Sequence, residues 1–258
     1  MDRPRRVTTS RPGQVAVFGT GNVASHIAEG LTAAGAKVTV ISHADADRIL
    51  AGETPLPEAD TYIISVTDAA ITGMISGIAD NGALWVHTAG SVGMELFEGE
   101  RKRYGILYPL QTFTVGTPVD MAAVPWLIEA VDADTLSEVR QLASLFGDNI
   151  HEADSELRAK AHLAAVFASN FICRMLAESE RILDGSTLPF DILRPLVNEV
   201  TRKAFAIGPH ASQTGPARRG DMQVIHRQLS ALPGHSAEIY RVVTAAILND
   251  YHPESLSS

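Results

Sequence analysis

The sequence predicts an α/β fold, with a mostly parallel sheet in the first part of the chain and an all-helical C-terminal domain after it. Up to residue 152, short apolar runs alternate with helical patterns, which is typical of a parallel sheet with helices on both faces. Beyond that residue the patterns are helical only. We therefore expect a flexible, arginine-rich N-terminal tail (residues 1–12), a sheet domain (13–152) and a helical domain (153–258).

The expected strands are short apolar runs, several of them rich in β-branched residues. They cover residues 15–18, 37–41, 61–66 and 83–87, a strand beginning at 105, and two that complete the sheet at 126–131 and 149–151. Helices are expected between the first strand and Gly35, and over 134–146. Residues 44–60 show only a weak pattern, so the strand expected there is missing or degenerate.

In the helical domain, one uninterrupted helix is expected over residues 155–183, because this stretch holds no glycine or proline and follows the capping residue Asp154. Further helices are expected over 190–205, 221–232 and 236–251. Cys173, the only cysteine, lies in an apolar part of the long helix. We expect it to be buried, and a single cysteine excludes an intramolecular disulfide and a cysteine-based zinc site.

The charge and hydropathy of the chain exclude several classes of partner. A formal net charge of −9 disfavours general nucleic-acid binding, which normally requires a basic face. No apolar stretch is long enough to span a membrane, and the start of the chain lacks the apolar core of a signal peptide. We expect a cytoplasmic protein with no membrane or nucleic-acid partner and no metal site.

A glycine-rich loop between the first strand and the first helix predicts a phosphate-binding site. The loop has the pattern GxGxxA and consists of Gly19, Thr20, Gly21, Asn22, Val23 and Ala24. The first glycine permits a tight turn, the second lets the backbone approach a pyrophosphate, and the small Ala24 lets helix and strand pack closely. This arrangement predicts a Rossmann-type dinucleotide site. A glycine turn without a ligand, S-adenosylmethionine and a flavin dinucleotide are the alternatives.

The end of the second strand favours NADP over NAD. NAD-specific sites usually place an acidic residue there, against the ribose hydroxyls, whereas this chain has Ser42 and His43. Both side chains can donate hydrogen bonds to a 2′-phosphate, and Arg48 is nearby. Asp45 is the counter-argument, because a shift in register would place its carboxylate at the ribose.

Further candidate residues follow later strands, because ligands of open α/β sheets bind beyond the carboxyl ends of the strands. Val66, Thr67 and the segment Thr88, Ala89 and Gly90 are expected to contact the cofactor, and Gln111 to contact a substrate. In the helical part, His162 and Asn170 interrupt an apolar helix. Each has an ordinary structural alternative: a loop, a helix cap such as Asp68, or a satisfied buried polar group.

These residues together resemble a known family, the Rossmann-like NADP oxidoreductases with a helical C-terminal domain of unknown function. Its relatives include pyrroline-5-carboxylate reductase and deazaflavin-dependent NADP oxidoreductases. The motifs that resemble it are GTGNVA (19–24), YPLQTF (108–113), AHLAAVFASNF (161–171) and QTGPARRGD (213–221). The resemblance covers nearly the whole chain and implies a homodimer joined through the helical domains. The chain departs from it at Tyr108, where other members often have histidine.

The sequence thus predicts an NADP(H)-dependent oxidoreductase that transfers a hydride to or from a small polar substrate. His162 is the candidate for proton transfer, because imidazole exchanges protons near neutral pH, and Asn170 and Gln111 would orient the substrate. A non-catalytic NADP(H)-binding sensor or scaffold is the alternative, since no lysine–aspartate or tyrosine–lysine catalytic pair stands out.

Overall fold

A computed structural model describes residues 13–253 of the chain, which divide into two compact units, one ending at Ser169 and the other beginning at Asn170. The predicted tail of residues 1–12 lies outside the described part. The first unit contains a seven-stranded sheet and its covering helices, and the second contains helices. Within residues 13–253, no helix combines the length and apolar character that a membrane crossing requires.

The first unit alternates strands and helices. Its strands are β1 Gln14–Phe18, β2 Lys37–Ile41, β3 Thr61–Ile64, β4 Leu84–His87, β5 Tyr104–Pro109, β6 Trp126–Ala130 and β7 Ile150–Glu152. Its helices are α1 Asn22–Ala33, α2 His43–Leu50, α3 Asp68–Gly77, α4 Ala133–Ser144 and α5 Ser155–Ala165. Residues 44–60, whose pattern is weak, thus begin within α2 and hold no strand.

The strands are ordered β2-β1-β3-β4-β5-β6-β7. The strands from β1 to β5 pair in parallel, whereas β6 runs antiparallel to β5 and parallel to β7. The predicted fold class, a mostly parallel Rossmann-type sheet followed by helices, is therefore confirmed. Because β1 to β5 are parallel, their carboxyl ends share one edge of the sheet, and the loops that follow them can build a common site.

Apolar clusters cover both faces of the sheet. On one face, Val17 and Trp126 pack with Ile27 of α1 and Val139 of α4. On the other face, Phe18, Tyr62 and Trp85 pack with residues of α2 and α3, and the Tyr62 and Trp85 rings stack with centroids 4.3 Å apart. Burial on both faces explains why these strands are continuously apolar rather than alternating.

Residues 155–183 are helical throughout, as predicted, but they do not form one regular α-helix. A π-helical turn at Val166–Asn170 separates α5 from α6 Phe171–Leu183. Propensity favours a helix throughout this stretch, but it does not report a widened turn, because a π-turn also lacks glycine and proline. The first compact unit extends through α5, whereas the sequence placed the domain division at 152/153, where the composition changes.

The second unit consists of six helices among its described residues. They are α6, α7 Arg194–Ile207, α8 Pro209–Ser212, α9 Pro216–Arg219, α10 Met222–Ser230 and α11 Gly234–Tyr251. Its apolar cluster is small, with Ala217, Ile225 and Leu248 at the centre. Cys173 is exposed on α6, so the expectation that it is buried was wrong. The apolar side of α6 on which Cys173 was expected to pack is itself largely exposed, including Phe171, Ile172 and Met175.

A buried ion pair fastens α5 to the sheet. Arg158 is only 1% exposed, and its Nη1 donates to Oε2 of Glu129 on β6 at 2.5 Å. Its Nη2 donates to the carbonyl oxygen of Val92 at 2.6 Å, and Ser155 Oγ donates to the same Glu129 oxygen at 2.9 Å. A charged group removed from water needs such partners, and here they fix the position of the helix on the sheet.

We expect Arg158→Ala to lower the free energy of unfolding by about 3 kcal/mol, because it leaves the largely buried Glu129 carboxylate without its cation. The control is Arg140→Ala, which removes the partner of Glu152 in an exposed pair between α4 and β7 and should cost less than about 1 kcal/mol. Tryptophan fluorescence in a denaturant titration reports on this unit, since Trp85 and Trp126 both lie in its sheet. Equal losses of unfolding free energy in the two variants would show that the buried pair stabilises the fold no more than the exposed pair does.

Candidate functional site

A cavity of about 720 Å³ lies at the carboxyl ends of the parallel strands. It is lined by residues of the first unit: the glycine loop after β1, the start of α2, the segments after β3 and β4, the end of β5 with Gln111, and His162 of α5. Its size is within the range of small-molecule and cofactor sites. The cavity lining contains Asp47 and Asp68 but no lysine or arginine.

The glycine loop requires glycine at its first position and leaves space at its second. Gly19 has φ +117°, and a Cβ there would lie 2.2 Å from the carbonyl oxygen of Ser65. Gly21 has φ −77°, and a Cβ there would meet no atom within 4 Å. Ala24 is 1% exposed and does not line the cavity, because it lies behind the loop at the distance of ordinary contact with Gly19.

The N-terminus of α1 opens on the same cavity. Thr20, Asn22 and Val23 line it, and no side chain caps the helix. The Asn22 side chain accepts a hydrogen bond from the backbone N–H of Val115 at 3.1 Å, which fixes this end of the loop. A helix N-terminus with no acidic residue in its first turn presents uncapped N–H groups and partial positive charge to an anion.

Ser42 and His43 lie at the N-terminus of α2 and line the cavity. Ser42 Oγ accepts from the Asp45 N–H at 3.3 Å and donates to Asp45 Oδ2 at 2.6 Å. This hydrogen bond lowers the pKa of the Asp45 carboxyl. Asp45 is therefore a residue of the α2 N-terminus rather than of the end of β2, and it does not line the cavity. Arg48 pairs with Asp45 at 3.5 Å and does not line the cavity either.

The segments after β3 and β4 form the middle of the cavity. Val66, Thr67, Thr88, Ala89 and Gly90 all line it. The Thr88 hydroxyl donates to Ser65 Oγ at 3.1 Å, which joins the two segments, and Ser91 donates to Asp68 at 2.5 Å. Burial lowers the pKa of nearby His87 to about 4, so its ring is uncharged at neutral pH and accepts the Ala89 N–H at Nδ1.

A tyrosine–histidine pair lies at the opposite end of the cavity from α2. The Tyr108 hydroxyl and His162 Nδ1 are 2.9 Å apart, and the two rings meet edge to face. A Cβ on Gly90 would lie 2.7 Å from His162 Nδ1 and 2.9 Å from Tyr108 Cζ, so glycine is needed for the rings to approach this backbone. Burial raises the pKa of the Tyr108 phenol, and the charge of Arg158 opposes this shift only in part.

The structure brings most of the predicted site residues together. Of the catalytic candidates, His162 and Gln111 line the cavity, whereas Asn170 is the first residue of the second unit and is not among the lining residues. The α-helical spacing that related Asn170 to His162 does not apply across the π-turn. Sequence reasoning missed the apolar lining from α2 and α3, which includes Ala46, Leu50 and Met74. The weak pattern after β2 gave no signal for it.

Fold and cavity together define a Rossmann-type dinucleotide-binding protein with a helical C-terminal part. Two family models match the chain: one described as "Putative NAD(P)-binding" over residues 9–91, and "Domain of unknown function (DUF2520)" over residues 124–247. A search of curated proteins finds no match.

A solved structure described as a "putative NADP oxidoreductase" from Bacteroides fragilis is 33% identical to the chain. The alignment covers 93% of this chain and 99% of that one, with a TM-score of 0.82. The chain belongs to the same family, the Rossmann-like NADP oxidoreductases with a helical C-terminal domain of unknown function. The family predicted from the sequence motifs is thus confirmed.

More distant structures share the fold. A Thermotoga maritima protein is 22% identical with a TM-score of 0.67, and the alignment covers 93% of this chain and 99% of that one. A reductive aminase from Aspergillus terreus, solved in complex with NADPH4, cyclohexanone and allyl amine, is 13% identical with a TM-score of 0.67, covering 93% and 94%. At these identities the likeness concerns the fold alone.

The two loop glycines predict different defects. Gly21→Ala should leave the melting temperature nearly unchanged, because its φ suits alanine and the space is open, yet weaken dinucleotide binding by at least ~10-fold, because the methyl group occupies the space of a pyrophosphate. Gly19→Ala should lower the melting temperature itself, through its positive φ and the Ser65 carbonyl. Thermal unfolding and NADPH fluorescence titration measure the two effects. Wild-type affinity in Gly21→Ala would show that this loop does not hold the phosphates.

Proposed function

We propose that the protein is an NADP(H)-dependent oxidoreductase that transfers a hydride to or from a small polar substrate. One observation carries the proposal. A phosphate-binding loop and a hydrogen-bonded pair of proton-exchanging side chains, Tyr108 and His162, line the same cavity. A protein that only binds the dinucleotide has no need of the second group.

In this proposal the cofactor extends along the edge of the sheet. The pyrophosphate lies on Gly19, Gly21 and the N-terminus of α1, and the adenine lies in the apolar part of the cavity between α2 and α3, near Leu50 and Met74. The nicotinamide lies by Thr88, Ala89 and Gly90, where small residues give it access. No step of this placement requires the second unit.

The preference for NADP rests on the start of α2. No acidic residue stands directly at the end of β2 to accept hydrogen bonds from the ribose hydroxyls, and the turn into α2 presents Ser42, its N-cap residue, and His43 to the cavity instead. His43 is exposed, and its Nδ1 lies 3.0 Å from Asp47 Oδ2. This contact holds the imidazole next to the position expected for the 2′-phosphate. When the cofactor binds, the Ser42 hydroxyl exchanges its hydrogen bond to Asp45 for one to the 2′-phosphate.

His162 is the proposed proton-transfer residue, and Gln111 orients the substrate. Both line the cavity beyond the nicotinamide position. Asn170 remains a predicted substrate-orienting residue on the strength of the sequence alone. The substrate class fitting these groups is a carbonyl compound or an imine, whose oxygen or nitrogen gains a proton when its carbon gains the hydride.

We expect NADPH to bind more tightly than NADH in fluorescence titrations, and His43→Ala to weaken NADPH binding by about tenfold while leaving NADH binding unchanged, since only NADPH carries the 2′-phosphate. His151→Ala is the control, because His151 is an exposed histidine on β7 outside the cavity. If neither nucleotide binds to the wild-type protein, the proposed function is wrong. Binding without oxidation of NADPH by any carbonyl or imine would instead favour the sensor.

We also propose that the chain acts as a homodimer joined through its helical part. Support comes from α7, which has no buried residue although Leu196, Val200 and Ile207 form an apolar stripe on it. These residues are 61%, 56% and 60% exposed. An amphipathic helix whose apolar stripe faces water is poorly stable alone, and a second copy offers the same stripe as its complement.

Leu196→Asp and Val200→Asp should each convert the dimer into a monomer, because a carboxylate would be buried without a partner in the interface. Light scattering coupled to size-exclusion chromatography measures the mass, and circular dichroism checks that the helices remain. Asn198→Asp adds the same charge to the opposite side of α7 and should leave the mass unchanged. A wild-type monomer at micromolar concentration would contradict the dimer.

A further inference from the structure

Tyr108 is the hydrogen-bond partner of the proposed proton-transfer residue, His162. It is 8% exposed, and its hydroxyl makes one hydrogen bond within the described residues, to Nδ1 of His162. His162 Nε2 makes none there, although the residue lines the cavity. Gly90 leaves the space that both rings occupy, since a Cβ there would collide with them.

The hydrogen bond determines where the imidazole proton lies. Burial raises the pKa of the Tyr108 phenol, so the hydroxyl keeps its proton at neutral pH and donates it in a hydrogen bond. Nδ1 of His162 is the only partner of this hydroxyl within the described residues, and accepting from Nδ1–H would leave the buried O–H without an acceptor. The phenol therefore donates, Nδ1 of the uncharged imidazole accepts, and the ring proton is on Nε2. Without Tyr108 both tautomers would be populated.

We propose that Tyr108 fixes His162 in the tautomer with its proton on Nε2 and supplies the proton that the imidazole passes to the substrate. This deepens the proposed function and rests on it. A bound NADPH would supply the hydride to the carbonyl or imine carbon, and the oxygen or nitrogen that receives the π electron pair would take the Nε2 proton of His162. Nδ1 takes the Tyr108 proton in the same step, so the imidazole ends uncharged and in the other tautomer. Solvent then protonates Nε2 from the cavity and the Nδ1 proton returns to the phenolate, which restores the starting tautomer.

The buried guanidinium of Arg158 suits this relay. Its charge acts on the Tyr108 hydroxyl in the direction that favours the phenolate. Arg158 also precedes His162 by one helical turn on α5, and its ion pair with Glu129 fixes that helix on the sheet. One side chain therefore both stabilises the transient phenolate and positions the imidazole.

The test needs no known substrate. Two-bond ¹H–¹⁵N correlation spectra distinguish the two tautomers of a histidine, and His162→Gln identifies the resonances of His162. In the full-length protein with NADP⁺ bound, at a pH where the ring is uncharged, His162 should be the Nε2–H tautomer. Tyr108→Phe should give an average of both tautomers. Tyr104→Phe is the matched control, since Tyr104 is a buried tyrosine on the same strand without a hydrogen bond to His162, and should change nothing.

Kinetics provides the second measurement. With any carbonyl or imine that wild-type protein reduces, Tyr108→Phe should lower kcat by about 100-fold and alter its pH profile, while the NADPH dissociation constant stays within about twofold. An Nδ1–H tautomer in the wild type, or an unchanged tautomer in Tyr108→Phe, would overturn the relay. Failure of NADPH to bind at all would overturn the proposed function instead, so the two failures are distinguishable.

Discussion

Arg158 is almost fully removed from water, and the carboxylate of Glu129 and the carbonyl of Val92 are what make its burial tolerable. Buried ion pairs often add little net stability, because desolvation cancels much of the attraction. Their value is geometric: the planar guanidinium accepts few arrangements of its partners. Here that geometry joins α5, strand β6 and the segment after β4. The location of His162 in the cavity follows from it.

The antiparallel strand β6 places the partner of Arg158 next to the strand that carries Tyr108. β6 pairs with β5 between Gly105 and Pro109, so Glu129 lies close to the strand that carries Tyr108. A Cβ on Gly105 would lie 2.3 Å from the Glu129 carbonyl oxygen, so glycine is needed for the two strands to approach there. The partner of Arg158 and the partner of His162 are thus held on adjacent strands, and a shift in register between them would separate the two contacts.

The cofactor half of the site was predictable because its requirements are local. A glycine with positive φ, a second glycine with open space and a small residue behind them follow one another directly in sequence. The substrate half of the site was less predictable from the sequence. Tyr108 and His162 are joined only through the sheet and α5, and periodicity could not reveal the π-turn that follows. Likewise, α2 contributes apolar lining from a segment with a weak pattern. The residues of the glycine loop are contiguous, whereas the substrate half and the α2 lining depend on tertiary packing.

A tyrosine rather than a histidine at position 108 has a chemical consequence. Two histidines facing each other can exchange the donor and acceptor roles, since each ring nitrogen can do either. A buried phenol whose only partner is an uncharged imidazole favours donating, because accepting would leave its own O–H without an acceptor. Tyrosine at this position therefore removes an ambiguity from the pair. It also places the proton source on a strand of the sheet, which is more rigid than a loop. Tyr108 is the buried member of the pair, and His162 is the more exposed one. Substitution at one residue thus alters how the proton reaches the cavity without altering the fold.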